Sequence, residues 1–356
     1  MGISRRECFH NCGFGLLLLP ALLRSPRSVL GHLLFEPDGD LVPLKPIPPN
    51  PFTRNGRPLV ALVHGTDPQH TLPLALSLLG GIERLSLRGK RVLLKPNVLS
   101  DRPPPTTTDP LVVGAMARLV REQGPAETIV ADGSGIIRLP TSANLTATGM
   151  RSAAEAARAT VLALEDEPWV RLEPPQAKAL TRFYFSKPVY DADILINMPV
   201  IKTHRFAEYS CALKNLVGAV HPRQRPSVTF WSGDWHERIA ELNLAAHPVL
   251  TVADGTTIMI EGGPTSGTSA KANLLVCSGD RVALDMTVLA LLRTFGAWSR
   301  IEGTRIGEQR QIKRAGELGL GVARGPEIEL VAQSVDGAPP DFARLVERIR
   351  EDLQNS

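Results

Sequence analysis

The stretches RVLLKPN at residues 91–97 and TIVADGSG at residues 128–135 decide the fold. Each begins with a short apolar run of the kind that forms a buried strand, and each ends in polar or glycine-rich residues. Between them, residues 109–123 predict a helix, because Asp109 can cap its start and Gly124 can end it. This strand–helix–strand order indicates parallel strands joined by a crossover helix.

The same alternation continues outward from this unit in both directions. Further strands are predicted for the apolar runs at residues 59–63, 161–164, 192–197, 249–253, 272–277 and 328–331. Further helices are predicted for residues 71–79, 142–158, 209–217, 235–246, 280–295 and 340–353. We therefore expect an α/β fold with a mostly parallel sheet and helices on both faces. We predict one α/β domain over residues 59–356, since no second composition shift divides this range.

The N-terminal residues are typical of an export signal. Arg5 and Arg6 precede an apolar run at residues 13–23, as in a twin-arginine signal. The run is too short to span a bilayer comfortably, although it would allow membrane association if it were left uncleaved. We predict a signal-like segment at residues 1–35 and export to the periplasm; the alternative is a cytoplasmic protein with an amphipathic N-terminal helix. A proline-rich arm at residues 36–58 follows.

The amino-acid composition limits the kinds of partner that the protein can be expected to bind. The formal net charge of +4 is mild and could favour an anionic ligand. The sequence has no dense basic run and no basic stripe interleaved with aromatics, so we predict no nucleic-acid partner. The four cysteines include no Cys-x-x-Cys pair, which argues against an iron–sulfur cluster and a zinc ribbon. We expect Cys211 and Cys277 to be buried free thiols rather than a disulfide.

Polar side chains stand where the predicted strands end, and ligands of open parallel sheets bind beyond the carboxyl ends of the strands. The candidate ligand- or cofactor-binding residues are Lys95, Asn97, Thr108, Asp132, Ser134, Asn197, Lys214 and Asn215. The densest group, Lys202-Thr203-His204, follows a strand that ends at Asn197. Such cations beside apolar sequence are unfavourable unless they meet an anion or serve catalysis.

Three side chains are the candidate catalytic residues. Lys202 would hold the anion, and His204 would act as general acid or base because its ordinary pKa lies near neutrality. Glu261 or Asp254 would be the opposite partner of His204 or a metal ligand.

Other charged side chains have further candidate roles. Asp254 and His236 are candidate ligands of a divalent metal, although no pair of histidines has the spacing of a metalloprotease motif. Asp280 is expected to cap the helix that follows it. Asp285 lies inside that apolar helix, and we expect it to form a buried salt bridge with one of the lysines.

Taken in order, these motifs resemble the family called domain of unknown function 362. The resemblance spans about residues 90–292 and rests on residues 94–97, 108–110, 132–135, 193–199, 202–204, 213–218, 236, 254–255, 261–267 and 280–285. It implies a compact α/β domain, often found in proteins that also bind iron–sulfur clusters, and several such relatives look like exported, redox-associated proteins. This sequence lacks the ferredoxin-like cysteine run, so electron transfer through a cluster does not carry over.

Two functions follow as hypotheses. The first is an enzyme that binds an anionic small molecule or cofactor, with a redox reaction as one option. The second is a non-catalytic exported protein that binds an anion or a metal through the same residues. The sequence names neither the ligand nor the oligomeric state.

Overall fold

The computed structural model describes residues 37–229, 233–335, 337 and 339–356. The signal-like segment predicted for residues 1–35 lies outside the described residues. The strands are β1 (Thr53–Arg54), β2 (Arg57–His64), β3 (Arg91–Pro96), β4 (Glu127–Asp132), β5 (Thr160–Ala163), β6 (Trp169–Leu172), β7 (Phe183–Ser186), β8 (Ile194–Met198), β9 (Val200–His204), β10 (Glu208–Ser210), β11 (Leu250–Gly262), β12 (Gly267–Ser278) and β13 (Glu329–Ser334).

The α-helices lie between and after these strands. They are α1 (Pro68–Leu79), α2 (Pro110–Glu122), α3 (Thr141–Ala147), α4 (Met150–Ala156), α5 (Lys187–Asp191), α6 (Ala212–Asn215), α7 (Arg225–Thr229), α8 (Trp235–Glu241), α9 (Arg281–Thr294), α10 (Ser299–Glu302), α11 (Arg310–Glu317) and α12 (Phe342–Gln354). Among the described residues, no helix combines the length and the apolar character that a membrane crossing requires.

The main sheet is mixed and mostly parallel. Its central order is β2, β12, β11, β8, β3, β4 and β5, and β1 and β13 both border β2. Neighbours from β11 to β5 run parallel, whereas β12 runs antiparallel to both β2 and β11. The carboxyl ends of β3, β4, β8 and β11 therefore point to the same edge of the sheet, where polar loops can meet.

Helices cover both faces of this sheet, as the apolar alternation predicts. In β3, Val92 and Leu94 join a core shared with α1 and α2, whereas Leu93 joins a second core shared with α8, α9 and α12. Successive strand residues point to opposite faces, so one apolar run supplies both cores. The predicted α/β fold with helices on both faces is confirmed.

Side-chain caps mark the starts of the longer helices α1, α2 and α9. Asp109 accepts a hydrogen bond from Leu111 N and Asp280 accepts from Val282 N and Ala283 N, so both predicted caps are confirmed. The first helix was expected to begin at Thr71, which is wrong: it starts at Pro68, and Asp67 caps it. Pro at the first helical position needs no backbone N–H there, which favours this earlier start.

Several predicted elements differ from the structure, and three of these differences affect the candidate site. Residues 209–217 were expected to form one helix, but Tyr209 lies in the edge strand β10 and only the short α6 follows. The residues around Lys202 were expected to be a loop, but they form β9. Asp254 was expected to end its strand, yet β11 continues through a bulge to Gly262 and forms a long hairpin with β12.

The proline-rich arm lies against the folded chain. Val42 N donates to Arg171 O, and Tyr190 Oη donates to Pro43 O at 2.8 Å. Phe52 at the end of the arm is fully buried in the core beside α1. The described part of the arm is therefore held against the folded chain by hydrogen bonds to its backbone and by the buried ring of Phe52.

Candidate functional site

The strand β9 positions the central side chains. Pro199 separates it from β8 and has no backbone N–H to continue the ladder. Beyond that break, β9 pairs with the extended part of β11, with Lys202 opposite Met259. Residues two apart in a strand point to the same side, so Lys202 and His204 share one face of β9.

Lys202 is a buried cation that forms no described hydrogen bond or ion pair with a carboxylate. Only 1% of the residue is exposed. Its Nζ donates to the backbone oxygen of Thr106 at 2.6 Å and to Asn97 Oδ1 at 3.5 Å, both neutral acceptors. Burial and, to a smaller extent, the nearby charge of Lys214 together lower the pKa of Lys202 to about 7. The amine is therefore poised to lose or gain a proton near neutral pH.

Lys214 is the second cation of the site and comes from α6. Burial lowers its pKa to about 8. No residue that the structure describes forms a hydrogen bond or an ion pair with its Nζ. Its charge also lowers the pKa values of Lys202, His204 and His236, which places these four side chains in one neighbourhood. An ammonium group in this position lacks the counter-charge that buried charges normally have.

The imidazole ring of His204 is held by hydrogen bonds from the turn that directly follows it in the sequence. Its Nδ1 accepts hydrogen bonds from Phe206 N at 3.2 Å and Ala207 N at 3.1 Å. Burial, followed by the charges of Lys214 and Lys202, lowers the pKa of His204 well below its ordinary value. The ring is therefore neutral at physiological pH.

His236, on α8, is the fourth member of this group. Its Nδ1 is buried and has no hydrogen-bond partner among the residues described. Burial lowers its pKa to about 4, with a further lowering by the charge of Arg310. We call Lys202, His204, Lys214 and His236 the cationic cluster. At neutral pH its lysines carry its positive charge.

Lys95 does not have the open position that was predicted for it. Its Nζ lies 2.5 Å from Asp132 Oδ1, 2.7 Å from the backbone oxygen of Asn215 and 3.4 Å from that of Pro96. An ammonium group has three donors, and all three are engaged. We call this buried ion pair of Lys95 and Asp132 the scaffold pair, and its contacts give no support to the predicted ligand-binding role.

The predicted amide and hydroxyl residues also bond within the protein. Asn215 Nδ2 donates to Asn197 Oδ1 at 2.8 Å, and Asn197 Nδ2 donates to Ala212 O at 2.9 Å. These bonds fix α6, and with it Lys214, to the end of β8. Ser134 Oγ donates to Val98 O at 2.6 Å.

A loop and a hairpin tip lie over the strand ends, a contact that was not predicted from the sequence. Thr108 Oγ1 accepts from Asn97 N at 2.9 Å and donates to Met198 O at 2.8 Å, which shapes the loop that presents Thr106 O to Lys202. Arg102 Nη1 of the same loop donates to Thr265 O in the hairpin tip at 3.0 Å.

The hairpin tip passes very close to β9. A Cβ atom on Gly263 would lie 2.1 Å from Thr203 O, and the residue has a φ of +82°. Only glycine fits this backbone position without a shift. The Gly262-Gly263 pair was the one sequence signal that could have indicated the approach.

The two candidate metal ligands are not brought into a metal-binding arrangement. Both carboxylate oxygens of Asp254 accept bonds from Asp109 N and from the N–H and hydroxyl of Thr256, at 2.7–2.9 Å. Within the described ranges, no group of three or more His, Cys, Asp or Glu side chains is placed to hold a metal ion. The geometry thus gives no support to a metal at Asp254 and His236.

Glu261 is exposed on the β11–β12 hairpin, where its Oε2 accepts from Thr268 Oγ1 at 3.2 Å. Its described contacts do not include His204, the residue it was expected to assist. A catalytic role for Glu261 stays a prediction without geometric support.

The salt bridge expected between Asp285 and a lysine is absent from the described contacts of Asp285, and that expectation is wrong. Its carboxylate instead accepts bonds from Tyr209 Oη at 3.1 Å, Ala212 N at 2.7 Å and Leu213 N at 3.0 Å. Asp285 therefore holds the first turn of α6 in place. Burial raises its pKa to about 6. Cys211 and Cys277 are buried free thiols, as expected.

Two known proteins are similar to this chain. A curated relative, the thylakoid-associated protein sll1697 of Synechocystis, is 27% identical over 247 residues, which cover 63% of this chain and 69% of that protein. The lactate racemase apoprotein of Thermoanaerobacterium thermosaccharolyticum superposes with a TM-score of 0.41 at 14% identity over 62% of this chain; the match spans about half of that structure, 54%.

The family model described as "Domain of unknown function (DUF362)" matches residues 92–290, which is more than half of the chain. This range contains β3, α6, β9 and the hairpin, and with them all four members of the cationic cluster. The chain belongs to the DUF362 family.

Proposed function

We propose that this protein is an enzyme that binds an anionic small molecule, a carboxylate or a phosphate, between Lys202 and Lys214. The observation that carries the proposal is the state of Lys214, a largely buried ammonium group with no partner among the described residues. A second buried lysine stands close enough to repel it. Like charges are held together in a protein interior only at a cost in stability, and a bound anion would remove that cost.

The neighbouring residues support an anion rather than a cation. The described hydrogen bonds of Lys202 go only to neutral oxygens, and the carboxylate of Asp132, which acts on the pKa of Lys202, is already occupied by Lys95 and by Val98 N. The cationic cluster thus has positive charge that the surrounding side chains leave uncompensated. Positive charge in a low-dielectric setting attracts anions more strongly than the same charge does in water.

Catalysis, rather than binding alone, is supported by the protonation state of Lys202. With a pKa of about 7, its amine is partly neutral at physiological pH and can accept a proton. A group with this pKa near neutrality is suited to general base catalysis. We therefore propose Lys202 as the proton acceptor and Lys214 as the residue that holds the anion.

Calorimetric titration of the full chain with oxalate, sulfate and inorganic phosphate at low ionic strength tests the binding step. We expect the wild type to bind at least one of these probes, and Lys214→Met to weaken binding by roughly 10-fold or more, the loss of a charge-assisted hydrogen bond. Lys90→Met is the matched control, because Lys90 is exposed just before the amino end of β3, at the opposite end of that strand. Equal affinity of the wild type and Lys214→Met would contradict the proposal.

Proton uptake tests whether the anion lies beside the two lysines. An anion raises the pKa values of both lysines toward their ordinary value, so binding near pH 8 should take up protons. Titrations in buffers of different ionisation enthalpy measure that uptake. Binding without proton uptake would contradict a contact between the anion and these lysines.

A further inference from the structure

We infer that His204 serves this site as a neutral hydrogen-bond donor whose Nε2–H contacts an unprotonated oxygen of the ligand, and that it does not exchange protons with the substrate. The inference rests on the proposed anion site and assigns His204 a role in it. It replaces the general acid–base role that the sequence suggested for His204.

The hydrogen bonds of the ring fix its tautomer. Nδ1 accepts from two backbone N–H groups, those of Phe206 and Ala207, so its lone pair is in use and it carries no proton. A neutral imidazole has one protonated nitrogen, which here must be Nε2. Within the part of the chain that the structure describes, Nε2–H has no hydrogen-bond partner. The open nitrogen of the ring is therefore a donor.

A second proton has no place on this ring. It would have to enter at Nδ1, where it would face the two backbone N–H groups. The charged groups nearest the ring are Lys202 on the same strand and Lys214 on α6, and His236 faces it from α8. The charges of the two lysines disfavour an imidazolium, and so would a protonated His236 at low pH. A bound anion would offset the lysine charges, but it would leave the two backbone donors at Nδ1 unchanged.

The chemical class of the ligand follows from the donors. Lys202 and Lys214 present N–H groups, and so does His204, whereas no carboxylate accepts from these three side chains among the described residues. A ligand oxygen that still carries a proton is itself a hydrogen-bond donor. At this site it would face the N–H donors of the three side chains rather than the acceptor that it needs. We therefore assign the site to an unprotonated oxyanion, such as a carboxylate, with one oxygen on His204 Nε2.

Two substitutions at His204 separate the functions of its two nitrogens. In His204→Gln the terminal amide can supply an N–H near the position of Nε2. In His204→Asn the shorter side chain can accept from the turn at the position of Nδ1 but cannot reach the ligand. We expect oxalate affinity to stay within about 3-fold of wild type for Gln, and to fall by about 10-fold or more for Asn, the range for one hydrogen bond to a charged acceptor.

Nuclear magnetic resonance reads the tautomer directly in the full-length protein labelled with ¹⁵N-histidine. Long-range proton–nitrogen correlations should show a bare Nδ1 and a protonated Nε2 for His204, assigned through the signals that His204→Gln removes. The pattern should persist from about pH 5.5 to about pH 8, where an ordinary histidine titrates. Added oxalate should shift the Nε2–H resonance downfield.

The outcomes distinguish this inference from the proposed function. A ring protonated on Nδ1, a titration near the ordinary pKa, or an Asn variant that binds as well as Gln would overturn the role of His204 even if oxalate binds. If the wild type binds none of the three probes, the proposed anion site fails, and the tautomer measurement still reports whether the turn fixes the ring.

Discussion

Lys95 Nζ lies 2.5 Å from Asp132 Oδ1, and both side chains are almost completely buried. The other carboxylate oxygen of Asp132 accepts from Val98 N at 2.6 Å. Lys95 and Asp132 bond to each other and to nearby backbone groups, whereas Lys214 in the adjoining cluster has no counter-charge among the described residues. The contrast separates Lys95 from Lys214, which we propose binds the anion, although the sequence alone placed both lysines in one group.

Removing one member of the scaffold pair should destabilise the fold. Lys95→Met leaves Asp132 as a buried carboxylate without its cation, and we expect a loss of about 3–5 kcal/mol in the free energy of unfolding. Denaturant titration measures it, and the double variant Lys95→Met/Asp132→Leu should lose less than the sum of the two single changes. If Lys95→Met instead abolished oxalate binding at unchanged stability, Lys95 would belong to the ligand site.

The pKa of Lys202 should respond to its neighbour. Lys214→Met removes a like charge, so the pKa of Lys202 should rise above about 7. The Cε and Hε resonances of ¹³C-labelled lysine report that pKa, with Lys202→Met as the assignment control. An unchanged titration midpoint would show that the two amines do not interact.

Stability should increase with pH above neutrality. The pKa values of Lys202 and Lys214 are lowered on folding, so between about pH 7 and about pH 10 the unfolded chain binds more protons than the folded chain. The free energy of unfolding therefore rises with pH in this window, and the contribution is lost as pH falls through the folded pKa values.

The slope of that pH dependence identifies its source. Each lysine accounts for up to about 1.4 kcal/mol per pH unit, so Lys214→Met should flatten the curve by roughly that amount, and Lys90→Met should not. Urea titrations at several pH values give the slope. A parallel curve for Lys214→Met would mean that burial leaves its proton affinity unaltered.

The hairpin tip should be sensitive at Gly263. Gly263→Ala would place a Cβ against Thr203 O in addition to the strain of its positive φ, so it should weaken oxalate binding and lower stability by more than about 2 kcal/mol. Gly56→Ala is the matched control, because Gly56 has a φ of +77° and open space around it. Equal losses for both variants would show that the close approach to β9 has no energetic effect.

Export can be tested on the arginine pair. Replacing Arg5 and Arg6 together by Lys keeps the charge but removes the twin-arginine motif, and we expect the full chain to stay in the cytoplasm of its own host. The same change at Arg24 and Arg27 should leave export intact. Cell fractionation measures the distribution, and unchanged export of the first variant would refute the assigned signal.

The apolar patterns predicted the layers of the fold because they record burial directly. Val92, Leu93 and Leu94 are three consecutive apolar residues. Such a run is the pattern of a strand that is covered on both faces. The helix cap at Asp109 could also be predicted from the sequence, because its side chain accepts a hydrogen bond from a residue only two positions along the chain.

The parts that could not be predicted depend on contacts between distant residues. Lys202 and His204 read as a polar loop, since no local pattern shows that β11 continues past Asp254 and pairs with β9. The true partners of Asp285 lie more than 70 residues away, at Tyr209, Ala212 and Leu213, and two of its three bonds are to backbone N–H groups that have no sequence signature.

The ladder between β11 and β12 ends at the pair Gly262 and Gly267, so only residues 263–266 lie beyond it. Insertions in this four-residue tip would leave every paired residue of the hairpin in register and would alter the contact that Thr265 makes with Arg102. Related chains could therefore vary the length of the tip without disturbing the paired residues of the hairpin. For a protein engineer, the tip is the place to alter the contact with the loop that contains Arg102 without redesigning the core.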